Sequence, residues 1–583
     1  MKFDDILIEI GELGYYQKKQ LVVLYIPAIS VASFMMMNIV LLYTPEHRCQ
    51  LPKEMFPADT WKIQNEVHEQ LVSAYIPPAS EYKYDRCNLY QDEAPNDIVV
   101  NTTDLSNASL HSCTQWVYSR DVFKETFTSE QNFVCGDSLK TSHIQLVFYF
   151  GVLCGDLGFG LLADIIGRKK SFLISAVFQL ASALGVVWAP NFLVYTILQF
   201  CVGAGCHGVF ICSCVLGLEL VGPNKRVWAG ILIHGFFTTG LIYLSGAAWI
   251  FKHWQFIQLA AAIPCAFYLS YWWLLDESPR WLISVGRTAE AEKIIQKMAK
   301  QNNTQVPEKL FDGNTTATTQ AGGKLWELFT NKVLFLRTMI LFFNWVVVSM
   351  CYYGVTMYAG TIGGNFYLNF FLLAVAEIPK FVNIPMLERL GRRWTHICFM
   401  WLGGFALIGM VFTVVYGGQE LHWATLTLSL IGKLGPAGAF STVYVFSLEL
   451  YPTVLRNAGM GASSCVARFG GMAAPYVAKM GELIGGDFGK ALPLVIFGAS
   501  SILAGFLCIF LPETLHQQLP DTAEEAAKFK GRMADKRKTD KIVFVGNKEN
   551  NTMDAGTEKC DLGDESCGYK NGIVNYGYEN TKL

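Results

Sequence analysis

Gly160-Leu161-Leu162-Ala163-Asp164-Ile165-Ile166-Gly167-Arg168-Lys169 is echoed, about 224 residues later, by Leu387-Glu388-Arg389-Leu390-Gly391-Arg392-Arg393. The echo aligns Asp164 with Glu388 and Arg168 with Arg392. Two further signatures recur in the same order. Glu219, Pro223 and Arg226 return as Glu449, Pro452 and Arg456, and Glu277-Ser278-Pro279-Arg280 returns as Pro512-Glu513-Thr514, at separations of about 230 and 236 residues. Chance matches rarely keep order and spacing together, so the chain reads as a parallel duplication, the plan of carriers in which two helical bundles rock about a site between them.

The residues around these signatures supply the bundles. Of 583 residues, 52% are hydrophobic and 16% charged, against about 25% charged in a soluble domain. A bilayer core about 30 Å thick needs about 20 mostly apolar helical residues. Twelve segments meet that test, near 21–43, 144–162, 172–189, 192–216, 227–250 and 256–275, then 336–358, 366–387, 397–416, 423–450, 459–484 and 491–511. The expected fold is an all-α membrane protein of major-facilitator type. It divides into an N-terminal segment (1–20), a six-helix bundle (21–275), a linker (276–335), a second six-helix bundle (336–511) and a polar tail (512–583). The tail reads as disordered, and its basic run between Lys528 and Lys541 as solvated, with contact to anionic lipid as the alternative. Asp4, Asp5, Glu9 and Glu12 precede the first apolar run in place of a basic leader, so the first helix is expected to be retained.

Short-loop lysines and arginines collect on one side, at Arg168-Lys169-Lys170, Lys225-Arg226, Arg280, Arg389, Arg392-Arg393 and Arg456. That side is expected to be cytoplasmic, with both termini. The stretch 44–143 then lies outside. It holds Cys49, Cys87, Cys113 and Cys135, which suggest two disulfides with three possible connectivities. It also holds glycan acceptor sequons at Asn101 and Asn107, whereas those at Asn302, Asn314 and Asn550 fall inside and are expected to be silent. In the linker, 289–298 has the spacing of an amphipathic helix that lies on the membrane or against the bundle.

The repeated signatures sit at helix ends, where acid and arginine can pair across neighbouring helices and a glycine allows a turn or a close approach. The gate set is Asp164, Gly167, Arg168, Glu219, Arg226, Glu277, Arg280, Glu388, Arg392, Glu449, Arg456 and Glu513. From Phe3 to Thr522 the chain also resembles the organic ion transporters, the group of organic cation, organic anion and carnitine carriers. The resemblance rests on Thr44-Pro45-Glu46-His47-Arg48-Cys49, the cysteine-bearing loop, Glu277-Ser278-Pro279-Arg280-Trp281-Leu282-Ile283, Glu449-Leu450-Tyr451-Pro452-Thr453-Val454-Leu455-Arg456-Asn457 and Leu511-Pro512-Glu513-Thr514.

Charges at bilayer depth cost several kcal/mol unless they face a cavity or a partner. Asp156, Glu377, Lys380, Lys433 and Arg468 are such charges, and Lys433 and Arg468 fall near mid-membrane, placed to line a central cavity. The resemblance implies that Arg468 occupies a position that is arginine in anion and carnitine carriers and aspartate in cation carriers, and that Glu377 matches an acidic position of the eighth helix. Opposite charges in one cavity suit a zwitterion. Against this, Glu377 can pair with Lys380 along its own helix. Asp156 departs from the small uncharged residue the resemblance implies. It reads as a cation counter-charge, as a proton-coupling carboxylate, or as a partner for an arginine at the helix end. Tyr352 and Tyr353 read either as ring faces for an organic cation or as packing and interface anchors. His207 and His234 are isolated in apolar helices and read as packing.

The expected function is therefore alternating-access transport of small organic ions, cations or zwitterions such as carnitine-like amines, with a coupling sodium ion or proton. An organic anion carrier is the alternative within transport, and a non-transporting receptor on a carrier scaffold the alternative outside it. The chain is expected to be multi-pass in the plasma membrane. Thr581-Lys582-Leu583 fits the C-terminal ligand pattern of PDZ domains. A net charge of -2 argues against nucleic acid as a partner. The sequence shows no metal cluster, phosphate loop or nucleophile arrangement, so neither cofactor nor enzymatic activity is expected.

Overall fold

The computed structural model describes residues 3–54, 56–79, 83–90, 109–305, 326–358, 364–417, 420–515, 517, 520 and 522–529. The sequons at Asn101 and Asn107, the polar tail from 530 onward and the Thr581-Leu583 motif lie outside them.

Apolar runs become long helices because a helix satisfies its own backbone where no water can. A short amphipathic helix α1 (Phe3–Ile10) precedes α2 (Tyr15–Leu41). Helix α3 (Glu66–Tyr75) belongs to the loop domain. Helices α4 (Leu139–Ile166), α5 (Arg168–Val187), α6 (Phe192–Leu220), α7 (Arg226–Phe251) and α8 (Trp254–Leu274) complete the first bundle. The linker helix α9 (Thr288–Gln301) covers the predicted amphipathic stretch. The second bundle comprises α10 (Lys332–Met357), α11 (Phe366–Val375), α12 (Asn383–Leu390), α13 (Arg392–Tyr416), α14 (His422–Leu450), α15 (Arg456–Ile484) and α16 (Gly486–Cys508).

Among the described residues, nine helical segments are long and apolar enough to cross a membrane. The other three predicted spans correspond to α14 and α15, which carry Lys433 and Arg468, and to α11 with α12. The last pair is not one helix: a 3₁₀ turn at Ile378–Val382 separates its halves, because Pro379 lacks the N–H that a continuous helix needs. Ile165, Phe267 and Trp273 are exposed on helix surfaces, as side chains facing lipid should be.

Small residues bring helices together. At Gly155 an added Cβ would collide with the Ala204 carbonyl, so α4 and α6 touch backbone to backbone. At Gly167 (φ +106°) and Gly391 (φ +88°) the chain turns between α4 and α5 and between α12 and α13, in a conformation that L side chains resist.

The loop domain between α2 and α4 is stapled rather than deeply cored. Two antiparallel strand pairs form, β1 (His47–Cys49) with β4 (Trp116–Tyr118) and β2 (Asn88–Tyr90) with β3 (Leu110–Ser112). Of the three connectivities open to the four cysteines, the structure pairs Cys49 with Cys113 and Cys87 with Cys135. Within this frame Arg48 and Asp59 make a buried fork, Nη1 donating to Oδ2 at 3.0 Å and Nη2 to Oδ1 at 2.6 Å. The Gln64 amide donates to His68 Nδ1 at 3.1 Å, so His68 carries its proton on Nε2 and gives it to Asp59 Oδ1 at 2.9 Å. Burial raises the Asp59 carboxyl, but hydrogen bonds from Arg48, the Leu51 amide and His68 outweigh it and hold the group below its ordinary range.

This domain rests on both bundles. The Lys124 amide donates to the Lys252 carbonyl at 2.8 Å, and Trp254 Nε1 to Glu130 at 2.7 Å. Phe123 packs edge-on against Phe366 and Tyr367 of α11 at 5.4 Å, and Tyr43 against Phe366 at 5.0 Å. An aromatic layer thus closes the gap between the bundles at the loop-domain end.

Candidate functional site

The repeated signatures form one wiring diagram built twice. Glu277 accepts from the amides of Arg168 (2.9 Å) and Lys169 (3.1 Å) at the start of α5. Glu513 accepts from the amides of Arg392 (2.8 Å) and Arg393 (3.1 Å) at the start of α13. Each carboxylate thereby satisfies amides a helix leaves unpaired and meets the positive end of its dipole. The Arg168 guanidinium reaches Glu219 through Nε and Nη2, both at 3.1 Å, and Arg392 reaches Glu449 at 3.1 and 2.8 Å.

Other members of the set differ from the reading at the helix ends. Asp164 touches Arg168 at 3.1 Å but is 70% exposed, and Glu388 is exposed with no ion pair among the described residues. The better-enclosed Glu219 and Glu449 are the arginines' main partners. Arg226 turns to Asp4 at 2.7 Å, Arg280 shares that carboxylate, and Arg456 approaches the Thr453 hydroxyl at 3.4 Å. The N-terminal segment therefore belongs to this end of the molecule. Asn302 after α9 secures it, accepting from the Tyr16 amide and donating to Gln17 Oε1, which leaves its sequon amide engaged.

Between the bundles lies a cavity with ≈ 590 Å³ of empty space, its opening to solvent included. Tyr352, Tyr353, Phe237 and Phe440 supply ring faces, and Arg468, His207 and His234 supply polar groups. A smaller cavity shares His234 and Ser441 and runs to Leu387, beside the α12–α13 turn.

Of the six predicted substrate residues, Tyr352, Tyr353 and Arg468 line the cavity, while Asp156, Glu377 and Lys433 stand in the wall behind them. Lys433 does not reach the lining. Its ammonium donates to Thr356 Oγ1 (2.6 Å) and the Tyr352 carbonyl (3.1 Å), lies 3.2 Å from Glu377 Oε1 and sits 3.4 Å from the Tyr352 ring centre. The Tyr352 hydroxyl donates to the same Glu377 oxygen at 2.7 Å. A buried charge needs this many partners, and the wall provides them. The Lys380 side chain lies outside the described residues.

Asp156 pairs with an arginine inside the bundles and not with one at a helix end. Its Oδ2 accepts from Arg468 Nε at 3.1 Å, and its Oδ1 is hydrogen-bonded by His207 Nδ1. His207 is thus a site residue and not packing. A carboxylate only accepts, so Nδ1 carries the ring proton. Sequence reading missed it because a lone histidine in an apolar helix gives no signal of its own. The available hint is the run Gly203-Ala204-Gly205-Cys206-His207-Gly208, a small-residue face that invites a neighbouring helix.

Two helical bundles, a duplicated set of helix-end ion pairs and a polar cavity between them define a membrane carrier of major-facilitator fold. The solved structure of the E. coli xylose transporter XylE in a partially occluded inward-open conformation superposes with a TM-score of 0.55 at 14% identity, covering 85% of this chain and all of that one. The sequence profile described as "Sugar (and other) transporter" matches residues 102–526. The Drosophila melanogaster "Organic cation transporter protein" is 34% identical over 541 residues, 91% of this chain and 95% of that protein. The human "Organic cation/carnitine transporter 2" is 30% identical over 91% of this chain and 94% of its own length. The chain belongs to the organic ion transporter family of the major facilitator superfamily.

Proposed function

We propose that this carrier moves small organic ions bearing an ammonium group, cations or zwitterions of the carnitine type, by alternating access between twelve membrane helices. The cavity carries this reading: ring faces at Tyr352, Tyr353, Phe237 and Phe440 suit an alkylated ammonium, and Arg468 in the same lining suits a carboxylate. The names of the relatives point the same way. Arg468 also favours a second reading, transport of organic anions, in which the carboxylate contact dominates. The loop domain with Asn101 and Asn107 faces outside, both termini face the cytoplasm, and the membrane is the plasma membrane, in line with the collection of short-loop arginines at the gate end. A sodium or proton gradient supplies the drive.

Ligand-induced stabilisation of the purified full-length protein tests the substrate class, because a ligand that binds only the folded state raises the melting temperature with its concentration. Carnitine or tetraethylammonium should raise it and glucose should not. Stabilisation by p-aminohippurate alone would shift the reading to an anion carrier, and stabilisation by glucose alone would overturn it.

A further inference from the structure

Resting on the organic ion reading, we propose that Asp156 and His207 form a proton site that controls access of a substrate carboxylate to Arg468, making the carrier a proton–carboxylate symporter.

The geometry is that of a shared acceptor. Asp156 on α4 and His207 on α6 belong to the first bundle, and Arg468 on α15 belongs to the second. One Asp156 oxygen takes Arg468 and the other takes His207. Arg468 and His207 both line the cavity, so a substrate and a proton can reach them by the same route. Around the three stand Tyr149 on α4, Cys206 on α6, Tyr353 on α10, Tyr444 on α14 and Cys465 on α15, with His234 of α7 in the same lining. Tyrosines and thiols are neutral near pH 7, so among these groups the cavity's charge turns on Asp156, Arg468 and the histidines.

With His207 neutral, Asp156 and Arg468 cancel, and a carboxylate entering the cavity must compete with Asp156 for the guanidinium. Asp156 occupies Nδ1, which leaves Nε2 as the proton acceptor of the ring. A proton added there forms an N–H bond and makes His207 an imidazolium. The imidazolium alone then balances Asp156, and Arg468 is released to the substrate. Proton and carboxylate bind together, each raising the other's affinity by the same factor. On the far side Nε2 loses its proton, Asp156 recovers Arg468, and the carboxylate leaves. One proton accompanies each carboxylate, so a monoanion moves without net charge and a zwitterion carries one positive charge. A cation lacking a carboxylate gains nothing from the proton and is repelled by it.

Full-length protein in liposomes enclosing a pH-sensitive dye gives the test. Labelled p-aminohippurate should enter with acidification of the lumen, its uptake at low concentration rising as external pH falls from 8 to 6, by at most about tenfold per unit for one linked proton. Negative internal potential should accelerate carnitine but not p-aminohippurate. Asp156→Asn should bind p-aminohippurate at pH 8 as tightly as the wild type does at pH 6, with no pH dependence, and His207→Gln should abolish the proton movement. Carboxylate entry without proton movement, or an unchanged pH profile in His207→Gln, overturns the proposal. Tetraethylammonium entry alone, without protons, also overturns it while leaving organic ion transport intact. If none of the three substrates enters, the organic ion reading itself fails. The proton site is then judged by infrared difference spectra of the purified wild type between pH 8 and 6. An imidazole band lost in His207→Gln and perturbed in Asp156→Asn supports it, and no such band overturns it.

Discussion

Arg468 Nε donates to Asp156 Oδ2 at 3.1 Å across the interface between the two bundles, joining residues 312 positions apart in the sequence. Both side chains are at least nine-tenths buried. A charge so placed depends on its partner, and this partner sits on the body that must move away if the bundles rock. The pair therefore ties the carrier's charge balance to its conformational cycle.

Removing both partners should cost less than the two single removals together. Arg468→Gln or Asp156→Asn alone leaves a buried charge short of its partner and should destabilise the protein by about 3–5 kcal/mol. The double substitution should cost clearly less than the sum. Thermal unfolding of the four purified proteins checks this, and additive losses would mean that the pair is not coupled.

The second buried pair makes a parallel case with a different reporter. Tyr352→Phe removes the hydroxyl that donates to Glu377 while keeping the ring beneath Lys433. About 1–3 kcal/mol of stability should be lost, the usual cost of unsatisfying a buried acceptor. Lys433→Met should lose more, because the Glu377 carboxylate then lacks its ammonium. A wild-type melting temperature for either variant would contradict the assignment.

The gate wiring predicts equal behaviour in the two halves. Glu277→Gln and Glu513→Gln each weaken two amide contacts and the charge at a helix N-terminus, so each should cost about 1–2 kcal/mol. Gly167→Ala and Gly391→Ala should cost at least as much, since each adds a Cβ against those same carboxylates in a positive-φ conformation. A loss confined to one half, read by thermal melting, would break the symmetry of the account.

The loop domain should loosen in acid. Burial holds the His47 imidazole down to about 4 in the folded state, against an opposing hydrogen bond to the Pro45 carbonyl. Its unfolded value is near 6.5, so between pH 6.5 and about 4 the unfolded form binds more protons and stability falls as pH falls. Asp59, held below its ordinary range, adds a further loss at lower pH still. Protection factors for the described residues of the loop domain, corrected for the pH dependence of intrinsic amide exchange, should fall through that window, and the fall should flatten in His47→Gln.

The legible part of the molecule was what recurs. Arg168, Glu219 and Glu277 and their counterparts Arg392, Glu449 and Glu513 announce themselves because each half repeats them at helix ends, where position along the chain nearly fixes position in space. Asp164 and Glu388 share that recurrence yet remain on the surface, since spacing does not say which of two nearby acids is better enclosed. The cavity was half legible. Arg468 interrupts an apolar helix and cannot be overlooked, but its partner lies in the other bundle, and no local pattern encodes a contact between duplicated halves. Lys433 interrupts an apolar helix just as plainly, yet it stands behind the cavity lining, because residue count along a helix does not say which way a side chain faces.

Organic ion transport itself is read by uptake into cells expressing the chain, with labelled tetraethylammonium, carnitine and p-aminohippurate, with and without sodium, beside Arg468→Asp. Carnitine or the cation should accumulate above control, and Arg468→Asp should change which substrate is taken up. No accumulation of any of the three by protein that reaches the surface would contradict it.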